Sequence, residues 1–233
     1  MLTLALDTST ASGCIALGNG SDLMLETFLP VQAVRSESVL PAIDRMFAET
    51  GCGPADISRL VVGSGPGSFT GVRIAASLAK GIRAALGVEL FAYSSLAAIA
   101  AGSGVTGRVC AVIDARRGQV YAAGFEVEAE SSGDRRLTGF SERFPPIAEP
   151  LTETLSRLVP ASDWSLAGAI PEPSVATVRA AGVVLLPASA GRPSASALIQ
   201  LASGFPELGR VGDPAAWEPR YVRASSAERE AGA

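Results

Sequence analysis

The chain opens with three short apolar runs separated by polar breaks. Leu2 to Leu6 ends at Asp7 and is followed by Thr8-Ser9-Thr10; Cys14 to Gly18 is a second run and Leu23 to Leu29 a third. Asn19-Gly20, between the second and third, is a strong hairpin signal, because a type I′ turn needs positive φ at both central residues. An antiparallel three-strand start is therefore predicted. From Ser36 to about Thr50 the period becomes helical: Val39, Leu40, Ile43, Met46 and Phe47 share a stripe, and Gly51 follows as a stop. Leu60-Val61-Val62-Gly63 reads as a buried strand, and the loop from Ser64 to Gly71 leads into a second helix from about Val72 to Leu86. On that helix Ile74, Leu78, Ile82 and Leu86 form one stripe, with Ala75, Ala76 and Ala79 beside it. So wide an apolar arc means deep burial or a second face turned to a partner. Val88 to Ala92 is a further strand, and Ser94-Ser95 caps an Ala-rich helix ending near Gly102.

Gly102-Ser103-Gly104 is the best boundary in the chain. Beyond it Arg108 to Asp114 and Gln119 to Val127 read as strands joined by a turn at Ala115 to Gly118, and Glu128 to Arg136 as a charged hairpin tip. A short helix over Leu151 to Leu158, strands at Trp164 to Ile170 and Val183 to Leu186, and a helix over Pro171 to Ala181 follow. Pro193 announces a last helix from Ser194 to Gly204, and the tail from Val211 is expected to be irregular. No internal repeat is evident from the residues.

Composition narrows the chemistry. The 233 residues are 48% hydrophobic and carry 19 basic and 23 acidic side chains, with no histidine. That excludes Ser-His-Asp and Cys-His catalysis, HExxH zinc sites and facial triads. Cys14, Cys52 and Cys110 contain no CxxC pair and are read as free, buried thiols of a reducing compartment. A net charge of −4 argues against gripping nucleic acid alone, although a local basic patch is compatible with it. Lys80, the single lysine, lies outside any Walker loop. The start lacks a basic leader and no apolar run reaches the ~20 residues of a membrane span, so a cytoplasmic protein is expected.

Four motifs have chemical potential. Asp7-Thr8-Ser9-Thr10 at a strand end suits either a hydrated Mg²⁺ with a phosphate or a simple Asx-type turn. The loop from Gly65 to Gly71 suits either an anion at a helix N-terminus or a tight strand-to-helix connection. Ser36-Glu37 has the character of a helix cap. Asp114-Ala115-Arg116-Arg117-Gly118 is either a phosphate-binding turn or a solvated, salt-bridged corner. No nucleophile stands beside a base.

Taken together in their order and spacing, several segments resemble one family. Leu4-Ala5-Leu6-Asp7-Thr8-Ser9-Thr10, Ser36-Glu37 with Leu40-Pro41-Ala42-Ile43, Gly65-Pro66-Gly67-Ser68-Phe69-Thr70-Gly71-Val72-Arg73-Ile74, and Asp114-Ala115-Arg116 with Tyr121 are similar to the bacterial TsaB family, also called YeaZ. The likeness covers residues 1 to about 125, with Tyr221-Val222-Arg223 matching again near the tail.

The resemblance implies an actin/Hsp70/sugar-kinase-like (ribonuclease H-like) α/β fold of two lobes with mixed sheets. The N-terminal lobe is expected over residues 1–103, with dimerisation helices 36–49 and 72–86, and a smaller, degenerate lobe with the tail over 104–233. It also implies a non-catalytic partner and activator of the tRNA threonylcarbamoyl transferase TsaD, needed to modify the adenosine next to the anticodon. TsaE binds the assembled pair, the chain alone can pair with a second copy of itself, and tRNA is met only through the complex. The chain alone is expected to bind no cofactor or metal, ATP and metal belonging to the partner subunits. The implied interface residues are Ser36, Glu37, Leu40 and Ile43 on the first helix and Arg73, Ala75, Ala76 and Ala79 on the second. Asp7, Thr8, Gly65, Gly67, Thr70 and Gly71 would form a vestigial phosphate or nucleotide site. The alternative is a kinase or ATPase of the same fold that still uses Asp7 and the Gly65–Gly71 loop. Relatives often have His where this chain has Arg35.

Overall fold

In the computed structural model, residues 1–29, 36–130 and 136–222 are described. Arg35, Arg223 and most of the expected hairpin tip at 128–136 lie outside them, as do the side chains of Ser36 and Glu37.

The first half runs β1 (Leu2–Asp7), β2 (Cys14–Asn19), β3 (Asp22–Phe28), α1 (Ser36–Thr50), β4 (Ile57–Gly63), α2 (Phe69–Leu86), β5 (Glu89–Tyr93) and α3 (Ser95–Ala101). The second half repeats that order: β6 (Gly107–Arg116), β7 (Gln119–Ala129), β8 (Leu137–Pro150), α4 (Leu151–Arg157), β9 (Trp164–Gly168), α5 (Glu172–Ala180), β10 (Val184–Leu185) and α6 (Ala195–Gly204). The sheets match as well. One is ordered β3-β2-β1-β4-β5 and the other β8-β7-β6-β9-β10, each an antiparallel meander extended by two parallel strands. An internal repeat that the residues conceal is thus plain in the topology.

Two details depart from expectation. The first hairpin pairs Asn19 with Asp22, so its turn is Gly20-Ser21, and of these only Gly20 has positive φ (63°). A register shift between Leu17 and Gly18 moves the turn one residue along from Asn19-Gly20. Strand β8 has no counterpart in the apolar pattern because it carries Pro145, Pro146 and Pro150. It tolerates them as the edge strand of its sheet, with register shifts against β7 where the ladder is interrupted.

Alternation along the first sheet sorts side chains by size. Leu4, Leu6, Ile15, Leu17, Leu60 and Val62 point to the face covered by α1 and α2. Ala5, Cys14, Ala16 and Val61 point to the other, where small residues let a helix approach closely. That helix is α6, from the far end of the chain, while α3 lies on the second sheet. The last helix of each repeat therefore packs on the opposite sheet, and one core joins both halves. The segment after α6 also returns to the first sheet: Val211 N donates to Leu90 O at 3.0 Å, and Gly209 O accepts from Ala92 N at 2.8 Å. It then runs beside α2, where Lys80 and Glu218 form an ion pair at 3.0 Å and the Phe69 and Tyr221 rings lie 5.4 Å apart. Among the described residues no helix is long and apolar enough to cross a membrane.

Candidate functional site

The end of β1 is where the predicted phosphate residues converge, and they converge inward. Asp7 is 1% exposed. Its Oδ2 accepts from Ser95 Oγ at 2.6 Å and its Oδ1 from Ser9 N at 2.7 Å. Burial raises the Asp7 pKa, against the opposing pull of hydrogen bonds from Ser9 and Ser95. Thr8 Oγ1 donates to Gly71 O at 2.6 Å, and Gly65 N donates to Ser95 Oγ at 3.2 Å.

The glycines belong to the same clasp. A Cβ on Gly71 would stand 1.9 Å from Thr8 O, and one on Gly67 would stand 2.3 Å from Ser9 O. Helix α2 consequently begins at Phe69, capped by Ser68, three residues before the position its apolar stripe suggests. Asp7, Thr8, Gly65, Gly67 and Gly71 thus form a closed brace, and Thr70 is exposed on the first turn of α2 beside it. The tight-connection reading of the loop describes this geometry. A carboxylate closed to solvent and committed to two donors has no free face for hydrated Mg²⁺, which removes the footing of the kinase alternative. Ser95 is the member of the brace that sequence reasoning missed. Ser94-Ser95 looks like a cap, and Ser94 is that cap, accepting from Leu96 N.

Above the brace, a cleft of about 670 Å³ opens between the two halves. One wall is formed by Ser9, Thr10, Gly67 and Ser68; the other is the β6–β7 turn. Arg116 and Arg117 in that turn have φ of 66° and 56°. The left-handed region costs a residue with a Cβ roughly 1–2 kcal/mol, and two consecutive arginines occupy it here. Asp114 Oδ1 stabilises the turn by accepting from Arg116 N at 2.8 Å. Arg192 and Arg220 reach the same cleft from distant segments, and the sequence pattern had singled out neither.

The outer helices divide the residues expected at a partner interface. Ile43 is 4% exposed, and Ala75 and Ala79 are fully buried, all three in the core between helices and sheet. As interface residues they are corrected: their surface is already used in packing their own lobe. Ala76 is 7% exposed and lines a groove with Phe69, Arg73, Lys80 and Glu218, where the chain's own tail runs. Leu40 is 47% exposed, and Arg73 is exposed with its guanidinium 5.2 Å from the Phe69 ring centroid. On α2 it is the alanine side that meets the sheet, whereas Ile74, Leu78 and Ile82 are half-buried and Leu86 is exposed. Small residues on the sheet side draw α2 close and leave the larger stripe towards its flank.

Two five-stranded mixed sheets of one topology, with a cleft between them, define the actin/Hsp70/sugar-kinase-like (ribonuclease H-like) class. A structure of YeaZ from Pseudomonas aeruginosa superposes with a TM-score of 0.71 at 29% identity, covering 95% of this chain and all of that one. The family model described as "TsaD: tRNA N6-adenosine threonylcarbamoyltransferase" matches residues 28–146, just over half of the chain. The tRNA threonylcarbamoyladenosine biosynthesis protein TsaB of Bacillus subtilis is 38% identical over 122 residues, 52% of this chain and 53% of its own. TsaB of Escherichia coli is 39% identical over 132 residues, 54% of this chain and 55% of its own. The chain belongs to this family, on its TsaB/YeaZ branch. Its matches span about half the length of these curated relatives.

Proposed function

We propose that the chain is the non-catalytic partner and activator of the tRNA threonylcarbamoyl transferase TsaD, required for threonylcarbamoyl modification of the tRNA adenosine next to the anticodon. The observation that supports this reading most is on α1. Its apolar stripe turns Val39, Ile43 and Met46 into the core yet leaves Leu40 about half exposed. With the flank of α2, Leu40 offers the kind of apolar helical surface that a second α/β lobe can cover. Arg73 lies exposed on α2 and Ala76 lines the groove beside it, and both are proposed for the interface together with Ser36 and Glu37, whose side chains lie outside the described residues. ATP and metal sit in the partner subunits, TsaE engages the assembled pair, tRNA is met through the complex, and the same helices support a homodimer when TsaD is absent. The proposed lobe division at residues 103 and 104 falls between the two sheets, while α6 and the segment after it return to the first sheet and α3 packs on the second.

Size-exclusion chromatography of the chain mixed with its cognate TsaD tests this. Co-elution that Leu40→Glu abolishes, with the variant's circular dichroism unchanged, is the expected result. Undiminished co-elution of Leu40→Glu would remove α1 from the interface.

A further inference from the structure

The segment that returns from α6 along the first sheet and α2 is held firmly in its first part and lightly in its second. Val211 and Gly209 pair with β5 through their backbones. Asp213 then closes a turn, its Oδ1 accepting from Ala215 N at 2.9 Å and its carbonyl from Trp217 N at 3.0 Å. Val211 and Trp217 both pack against the core between the first sheet and its helices. This part is anchored by backbone pairing and by buried apolar surface together.

Beyond Trp217 the hold changes character. Glu218 meets Lys80 at 3.0 Å, but the Glu218 side chain is 73% exposed, and an ion pair so open to water adds little. Pro219 is buried, yet a proline has no N–H to donate to its surroundings. Arg220 N donates to Ser64 O at 3.1 Å. Tyr221 lies against Phe69, and both residues stay nearly half exposed even in contact. A stretch with few buried apolar contacts, attached to a firm base, is the kind that opens locally without unfolding the rest.

The lightly held part lies over surface proposed for the partner. Phe69, Arg73, Ala76, Ser77 and Lys80 follow one flank of α2 at helical spacing, and they share a groove with Glu218, Pro219 and Tyr221. A second protein that covers Arg73 and Ala76 meets this segment first. We propose that residues 218–221 are a strap that closes over the flank of α2 in the free chain and lifts when TsaD docks there. The inference rests on the TsaD reading and adds to it how the same surface is guarded. Closure lowers the fraction of chains competent to bind, so the strap sets the apparent affinity.

Calorimetric titration of the full-length chain with cognate TsaD tests this, comparing wild type with the double variant Glu218→Lys/Tyr221→Ala. Both substitutions fall on exposed residues, so thermal unfolding close to wild type is expected and checks the fold. The variant should bind TsaD about threefold or more tightly than wild type, or bind where wild type does not. Hydrogen exchange of wild type should in parallel become faster over residues 218–222 when TsaD is added. Equal or weaker binding by the variant, or exchange that is unchanged or slower in the complex, would overturn the strap while leaving TsaD as the partner. No binding by either protein would overturn the TsaD reading and the strap with it.

Discussion

Asp7 and Ser95 are 88 residues apart and share a 2.6 Å hydrogen bond with the serine as donor. The bond fastens the end of β1 to the first turn of α3, the helix that crosses to the other sheet. Gly65 joins them, donating to Ser95 Oγ and accepting from Ser95 N. Motif residues of the first strand, the glycine loop and the crossing helix thus meet at one closed point.

Ser95→Ala leaves a buried carboxylate short of a donor and should destabilise the fold by about 1–3 kcal/mol, read from the urea midpoint. No change in the midpoint would mean that the brace is not a point of stability.

Two carboxyls give the acid limb opposite slopes. Asp7 has its pKa raised by burial, so its contribution is full below the unfolded value and is lost as pH rises through the folded one. Glu149 has its pKa lowered, first by the Arg157 hydrogen bond and then, against desolvation, by Thr154; its contribution is present above the unfolded value and is lost as pH falls through the folded one. Urea midpoints between about pH 3 and pH 7 should therefore show Asp7→Asn removing a decline with rising pH and Glu149→Gln removing a decline with falling pH. Identical profiles for the two variants would contradict this assignment.

On α2 the side of the helix decides the phenotype. Ala75→Glu buries a charge against the sheet and should abolish folding, whereas Arg73→Glu changes an exposed residue and should leave the circular dichroism spectrum intact. A folded Ala75→Glu protein would place the wrong face of α2 on the core.

The thiols should separate cleanly. Cys14 and Cys110 are fully buried, and burial pushes the Cys110 pKa up to about 12; Cys52 is half-buried at the end of α1. Titration of the native protein with a thiol reagent should modify Cys52 quickly and the other two only on denaturation. Rapid reaction of all three would contradict the packing of β2 and β6.

The first half of the fold is legible because its strands and helices carry clean periods. Helix α2 is the exception at its start, where Gly71 is demanded by Thr8 rather than by helix propensity. The second half hides its kinship: β8 is broken by prolines that only an edge strand tolerates, and β10 is two residues long. Asp7 and the glycine loop are visible as motifs, but periodicity cannot tell an inward carboxylate from an outward one. Ser95 decides that question, and Arg192 and Arg220 enter the cleft through the tertiary fold alone.

Reconstituted threonylcarbamoylation of tRNA tests the central claim most directly. Cognate TsaD is assayed with the remaining factors, with and without this chain, and with Leu40→Glu in its place. Modification that depends on the chain and fails with the variant is the predicted result. Full modification by TsaD without the chain would contradict it.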